Sequence, residues 1–431
     1  MSENTEHDAP ALAPLRCATA GSVDDGKSTL LGRLLFDAKG LMADQLAHVE
    51  EASRRRGYAR TDLALITDGL RSEREQGITI DVAWRYFATP SRRFVLADAP
   101  GHVEYTRNMV TAASQADVAL ILVDARAGLL EQTRRHLFVS RLLGVPALVV
   151  AVNKMDLVGF DHAVFARIRD DVAQYVANLP VPCSAPNLAF FPISALHGDN
   201  IVESSSSMPW YDGPTLLHHL ETLRTDADVK DAPARFPVQW VIRPQDDERP
   251  DYRGYAGRVA SGVLRPGQRV RVVPSRTESR IASIETYDGP RDEAEAGLSC
   301  VIHLEDDVAV ARGDVLVPVD AKQPALVEAF TADVAWVHTQ AAKPGERYLV
   351  KHGTREVRAI IEGVEALLDV ESGRAIPGAA PLVLNTLARV RVRLFEPLAV
   401  DAYADLRESG SFLLIDPASG ATRAAGMVRA W

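Results

Sequence analysis

Gly21-Ser22-Val23-Asp24-Asp25-Gly26-Lys27-Ser28 fits the pattern GxxxxGK[ST], and no other segment restricts the fold of this chain as tightly. A loop of this kind works only where a buried strand runs into it and a helix leaves it. Leu15 to Ala20 is the strand candidate, and Thr29-Leu30-Leu31-Gly32-Arg33-Leu34-Leu35 has helical character. Glycines let such a loop fold into a nest of N–H groups facing phosphate oxygens, and the helix N-terminus adds roughly half a positive charge there. Lys27 is then expected to reach the β- and γ-phosphates, and the Ser28 hydroxyl to ligate Mg²⁺.

The surrounding pattern agrees. Apolar runs alternate with helical segments up to about residue 225, the signature of βαβ units around a mostly parallel sheet. Arg93-Phe94-Val95-Leu96-Ala97, Asp117-Val118-Ala119-Leu120-Ile121-Leu122-Val123 and Ala147-Leu148-Val149-Val150-Ala151-Val152 are continuous enough for strands buried on both faces. In open α/β sheets chemistry gathers beyond the carboxyl ends of the strands, and each run ends in a polar motif.

Past residue 225 the texture changes. DADVKDAPARFP is polar and short of large apolar residues, and after it come brief strand candidates with Gly and Pro turns. Val390-Arg391-Val392-Arg393-Leu394 alternates as a half-buried strand does, and Gly410-Ser411-Phe412-Leu413-Leu414-Ile415 is another strand candidate. The expected architecture is an α/β P-loop domain, mostly parallel sheet with helices on both faces, followed by two small β-barrel domains. The expected limits are 12–225 for the first domain, 226–236 for a linker, and 237–320 and 321–431 for the barrels.

Four further elements follow the phosphate loop in order. Asn153-Lys154-Met155-Asp156 fits NKxD, in which Asp156 accepts from N1–H and the exocyclic amine of guanine, a pairing adenine cannot offer, while Asn153 and the Lys154 stem hold the ring and loop. Asp98-Ala99-Pro100-Gly101 fits DxxG, with Asp98 holding Mg²⁺ through water and the Gly101 N–H sensing the γ-phosphate. Arg74-Glu75-Gln76-Gly77-Ile78-Thr79-Ile80 supplies Thr79 as a conditional third metal ligand, and Ser194-Ala195-Leu196 fits the loop that meets the guanine 6-oxo group with backbone N–H. His102, directly after DxxG, is expected to orient the attacking water, with Val23 and Ile78 as an apolar gate before it. The catalytic set is thus His102, Lys27, Thr79 and Gly101, and the metal set Ser28, Thr79 and Asp98. The nucleotide-lining set is Gly21, Ser22, Val23, Asp24, Asp25, Gly26, Lys27, Ser28, Thr29, Asp98, Ala99, Pro100, Gly101, His102, Asn153, Lys154, Met155, Asp156, Ser194, Ala195 and Leu196.

Composition narrows the setting. With 431 residues, 47% hydrophobic, the chain can bury several cores, and its length suggests two to four domains. Its three cysteines, Cys17, Cys183 and Cys300, have no CxxC spacing, which speaks against a disulfide framework or zinc cluster and for a reducing cytoplasm. The opening residues lack the basic and apolar regions of a leader, and no stretch reaches about 18 uninterrupted apolar residues, so neither export nor membrane insertion is expected. A formal net charge of −10 argues mildly against coating nucleic acid.

REQGITI, DAPGH and NKMD followed by two barrels resemble the elongation factor Tu superfamily across essentially the whole chain. Three long stretches are more specific: GSVDDGKSTLLGRLLFD (21–37), DLALITDGLRSEREQGITIDVAWRYFAT (62–89) and ADAPGHVEYTRNMVTAASQADVALILVDARAGLLEQTRRH (97–136). They resemble the GTPase (large) subunit of bacterial sulfate adenylyltransferase, ATP sulfurylase. LRESGSFLLID (406–416) and AAGMV (424–428) fit as well, though other elongation-factor relatives share them. The resemblance implies GTP/GDP and Mg²⁺ as ligands, and GTP hydrolysis driving ATP and sulfate to adenosine 5′-phosphosulfate and diphosphate. It implies a catalytic small subunit as partner, in a heterodimer or higher assembly.

Neither an SGGxDS loop nor an HxGH motif is present, so adenylyl transfer is expected on that partner, and no second phosphate loop marks a fused adenylylsulfate kinase. Ala99 stands where relatives often carry threonine, and Val103-Glu104 where Glu-Gln is common; no nucleotide-contacting side chain is altered. The alternative is a translation factor delivering aminoacyl-tRNA or acting in termination, which predicts strongly salt-dependent RNA binding. Ser53-Arg54-Arg55-Arg56-Gly57-Tyr58-Ala59-Arg60, between phosphate loop and first switch, and Asp251-Tyr252-Arg253-Gly254-Tyr255 are candidate partner contacts.

Overall fold

Six strands form the sheet on which the phosphate loop sits, in the order β2-β3-β1-β4-β5-β6. They are β1 (Leu15–Ala20), β2 (Ala83–Ala88), β3 (Arg93–Asp98), β4 (Val118–Asp124), β5 (Ala147–Asn153) and β6 (Asn187–Pro192). All neighbours run parallel except the edge strand β2. The structure, a computed structural model, describes residues 13–22, 24–38, 82–99, 106–181, 187–224, 230–244, 252–343, 345–378 and 381–431. Every residue of β4 and β5 is buried, as runs of Val, Ile, Leu and Ala must be when both faces of a strand are covered. β1 has β3 on one side and β4 on the other, so the chain order reverses there, and the crevice past its carboxyl end is the position where such sheets take ligands.

Helix α1 (Lys27–Asp37) leaves the phosphate loop and buries Leu30, Leu31, Leu34 and Leu35, the stripe expected at helical spacing. These leucines share one core with Leu15, Leu96, Leu120 and Val149 of the sheet. Truncating a fully buried one, Leu30→Ala, should cost about 2–5 kcal/mol through lost transfer energy and the cavity left behind. The same unit holds α2 (Thr106–Ser114), α3 (Glu131–Leu142), α4 (His162–Ala177) and α5 (Leu216–Thr222). Asp161 and Thr215 cap α4 and α5 by accepting backbone N–H bonds.

Contacts divide the chain into two units, Met1–Thr225 with Val370–Arg374, and Asp226–Asp369 with Ala375–Trp431. The second unit contains two closed barrels. Strands β7 (Phe236–Ile242), β8 (Gly254–Arg258), β10 (Arg269–Val273), β11 (Glu278–Thr286), β14 (Ser299–Leu304) and β15 (Val315–Pro318) form one, closed by the β10–β11 pairing. The short β9 (Val263–Leu264), β12 (Gly289–Arg291) and β13 (Ala294–Glu295) decorate it. Strands β16 (Ala325–Trp336), β17 (Arg347–His352), β18 (Arg355–Asp369), β20 (Leu387–Val400), β21 (Ser411–Ile415) and β22 (Thr422–Ala430) form the other, closed by β17–β18, with β19 (Arg374–Pro377) beside β18. Closure removes the free sheet edges that would otherwise invite association.

Within this unit the fully buried Arg235 grips Asp401 with two parallel bonds of 2.9 Å, Nε to Oδ2 and Nη2 to Oδ1. Removing either partner should cost about 3–5 kcal/mol, because the other charge is left buried alone. Among the described residues no helix is long and apolar enough to cross a membrane.

Candidate functional site at the carboxyl edge of the sheet

Four parallel strands deliver polar side chains to one edge. β1 ends at Ala20 and opens into the phosphate loop, β3 ends in Asp98, β4 in Asp124, and β5 in Asn153. β6 leads past Pro192 into the Ser194-Ala195-Leu196 loop. Register makes this convergence inevitable, since Asp124 and Asn153 are direct neighbours across β4 and β5, and Thr19 of β1 lies opposite Asp98 of β3.

The phosphate loop turns on Asp24, at φ +70°, and Gly26, at φ +91°. Glycine is required at position 26 for a second reason: a Cβ there would lie 2.5 Å from Asn153 Nδ2. Asp25 closes the turn, accepting from the Ser22 N–H at 2.6 Å through Oδ2. Burial is the main cause that raises the Asp25 pKa from 3.8 to about 6, with the Asp124 charge adding and the Ser22 bond opposing. Lys27, at the first turn of α1, is buried and donates to Asp98 Oδ1 and to the Ala99 carbonyl, both at 2.6 Å. Thr19 donates to the same carboxylate oxygen at 3.3 Å.

On the other side of the crevice, Asn153 uses both ends of its amide. Nδ2 donates to the Asp25 carbonyl at 2.7 Å, and Oδ1 accepts from the Ala195 N–H at 2.9 Å. Ser194 Oγ donates to Asp156 Oδ1 at 2.7 Å, and His197 Nε2 lies 3.9 Å from Asp156 Oδ2. Lys154, in a left-handed conformation at φ +63°, donates to the Asp24 carbonyl and, at 2.9 Å, to Asp124 Oδ2. Met155 is fully buried beneath the loop. The sequence-predicted Ser22, Asp24, Asp25, Lys27, Asp98, Ala99, Asn153, Lys154, Asp156, Ser194 and Ala195 therefore each share a hydrogen bond with another predicted site residue; Gly21 and Gly26 lie in the phosphate loop among them, Ser28 and Thr29 lie in the first turn of α1, and Leu196 is exposed. Val23, Thr79, Pro100, Gly101 and His102 lie outside the described residues, as do Ile78, the Arg54–Arg56 cluster and Cys183.

Two residues here escaped the sequence reading. Asp124 anchors Lys154 and is itself gripped by Arg126 through the backbone N–H at 2.9 Å and the guanidinium at 3.1 and 2.6 Å. Burial would raise its pKa, but the Arg126 and Lys154 hydrogen bonds outweigh that and hold the carboxyl well below the usual carboxylate range. His136 on α3 is buried with Nδ1 3.0 Å from Met109 Sδ. Burial first, then the Lys27 charge, push its pKa down to about 3, so the imidazole is neutral at physiological pH. The only available signal was the position of Asp124 at the end of a buried strand.

The chain matches the elongation factor Tu GTP binding domain over residues 14–226, elongation factor Tu domain 2 over 255–317 and the GTP-eEF1A C-terminal domain-like family over 329–429. It is 46% identical to sulfate adenylyltransferase subunit 1 of Citrobacter koseri over 96% of this chain and 86% of that protein. The chain belongs to the sulfate adenylyltransferase subunit 1 family. A second relative of this family member, bifunctional enzyme CysN/CysC of Mycobacterium tuberculosis, is 52% identical over 96% of the chain and 67% of its own length. A crystal structure of sup35 complexed with GMPPNP is similar at 22% identity and a TM-score of 0.43, covering 99% of this chain and 97% of that one, too distant to bear on function.

Proposed function

We propose that this chain is the GTP-hydrolysing subunit of a sulfate adenylyltransferase. The observation that carries the reading is the 46% identity to a sulfate adenylyltransferase subunit 1 across nearly the whole chain. It is supported by a crevice whose phosphate-loop and base-facing residues are already joined by hydrogen bonds. GTP and water give GDP and phosphate here, and that free energy drives ATP and sulfate to adenosine 5′-phosphosulfate and diphosphate on a separate catalytic subunit. The assembly is a heterodimer or a multiple of it, in the cytoplasm, with no part for nucleic acid or membrane.

The roles follow the chemistry of each group. Lys27 carries charge to the β- and γ-phosphates, and the phosphate-loop N–H groups supply further donors. Asp156 selects guanine, while Asn153, Lys154 and the loop 194–196 hold the ring. Gly101 senses the γ-phosphate and His102 orients the attacking water, both on sequence grounds. Ser28 and Asp98 offer the hard oxygen donors that Mg²⁺ takes, with Thr79 joining them. Bound there, the ion would neutralise charge developing on the phosphate oxygens. The domain limits proposed above, 12–225, 237–320 and 321–431 with a linker at 226–236, stand as part of this reading.

The test is GTP hydrolysis and adenosine 5′-phosphosulfate formation measured together, with and without the separately expressed catalytic subunit. Both rates should rise only in the mixture. Stimulation by ribosomes or tRNA with no response to the catalytic subunit would instead make the chain a translation factor.

A further inference from the structure

Arg33 lies on α1, six positions beyond Lys27, with its side chain only about one-fifth exposed. Its guanidinium leaves the helix surface and spans two successive carbonyls of the loop after β6. Nη2 donates to Leu196 O at 2.8 Å and Nε to Ala195 O at 3.4 Å, while Nη1 sits 3.7 Å from Asp37 Oδ1, one turn along the helix. Gly198 closes the loop in a left-handed conformation at φ +90°, passing directly against the guanidinium. A planar fork of five N–H groups holds two carbonyls and faces a carboxylate in one fixed geometry; a lysine ammonium has three donors, but on a point charge with a looser stem.

The consequence follows from the planarity of the peptide. In a trans peptide the N–H of one residue points opposite to the carbonyl of the residue before it. Pinning the Ala195 carbonyl toward α1 therefore aims the Leu196 N–H away from the helix. Pinning the Leu196 carbonyl aims the His197 N–H the same way, where it meets Ser194 Oγ at 3.4 Å. That hydroxyl is the one donating to Asp156. The other flank of the loop is tied to Asn153 through the Ala195 N–H. Arg33 thus supplies a cationic tether among these loop contacts, and it connects the base loop to the helix that begins at Lys27.

We infer that Arg33 is a positioning residue for base selection, orienting the Leu196 N–H toward a purine carrying a 6-oxo group. The inference rests on the guanine-nucleotide reading above. It is tested with the full chain and two nucleotides, GDP and 2-aminopurine riboside 5′-diphosphate, which keeps the 2-amino group but lacks the 6-oxygen and, with it, the N1–H facing Asp156, the latter a loss common to all the proteins compared. Isothermal titration gives both dissociation constants for the unsubstituted chain, Arg33→Ala and Arg33→Lys. The penalty for losing the 6-oxygen should shrink about fivefold in Arg33→Ala, the worth of one well-aimed hydrogen bond, and by less in Arg33→Lys. A ratio unchanged to within about twofold in both variants, with GDP still bound, would show that Arg33 merely braces the fold and overturn the inference. If the alanine variant does not fold, the lysine variant decides by the same ratio. Failure of the unsubstituted chain to bind GDP overturns the guanine reading itself, and this inference with it.

Discussion

The two ends of the crevice are built differently. At the base end Asn153, Lys154, Asp156 and Ser194 are each bonded to another segment of the chain, so loops distant in sequence hold one another in place. At the phosphate end the decisive charge, Lys27, donates to the Asp98 carboxylate and the Ala99 carbonyl. The first arrangement fixes a geometry before any ligand arrives, which is what discrimination between similar bases needs. The second keeps a cation buried at low cost while leaving it able to trade one oxygen anion for another, which is what a phosphate site needs.

Removing Lys27 should break the phosphate end outright. Lys27→Ala deletes the charge and leaves Asp98 buried without its partner, so GDP and GTP affinity should fall by a factor on the order of 100 or more, with hydrolysis lost. Equilibrium titration with a fluorescent guanine nucleotide would measure it, and a loss under tenfold would mean that the contrast is drawn in the wrong place. At the base end Asn153→Ala orphans the Asp25 carbonyl and the Ala195 N–H together. A loss of affinity of about 10- to 50-fold is expected, with a lower midpoint of thermal unfolding, because two buried backbone groups lose their partners. Asp124→Asn keeps the size but removes the charge that anchors Lys154, and should weaken GDP about fivefold by the same titration.

These contacts mark the limit of what the sequence disclosed. The strand at 15–20, the helix after the phosphate loop and the buried runs at 117–123 and 147–152 are local patterns, and each became an element within a residue or two of the expected place. Valine- and leucine-rich runs announce themselves because burial on both faces demands them. The barrels were legible as a class, from short alternating runs and turn residues, but not in their closure, which depends on pairings such as β17 with β18 that no local pattern encodes. The partners of Asp124 and Arg33 were hidden for the same reason. Asp124 meets Lys154 across 30 positions and Arg33 meets Leu196 across 163, and neither carries a motif.

A further effect, of similar size, concerns pH, where two groups at the phosphate end pull in opposite directions. Asp25, raised from 3.8 to about 6 by burial, binds its proton more tightly folded than unfolded, so its contribution to stability falls as pH rises through that window. His136, lowered from 6.5 to about 3, binds its proton more tightly unfolded, and its contribution is lost as pH falls through the same range. Urea denaturation of Asp25→Asn against the unsubstituted chain isolates the first. The variant should be relatively more stable at pH 7 than at pH 4, by about 1 kcal/mol or more, and an equal difference at both pH values would remove Asp25 from the titrating groups.

The most direct measurement is the base preference of Asp156→Asn. A carboxylate at that position accepts from the N1–H and 2-amino group of guanine, whereas an amide can instead donate to the 2-oxo group of xanthine. If Asp156 reads the base, the unsubstituted chain binds GDP well and xanthosine diphosphate poorly, and the variant reverses that order. If both proteins rank the two nucleotides alike, the crevice at the carboxyl edge of this sheet is not where guanine is chosen.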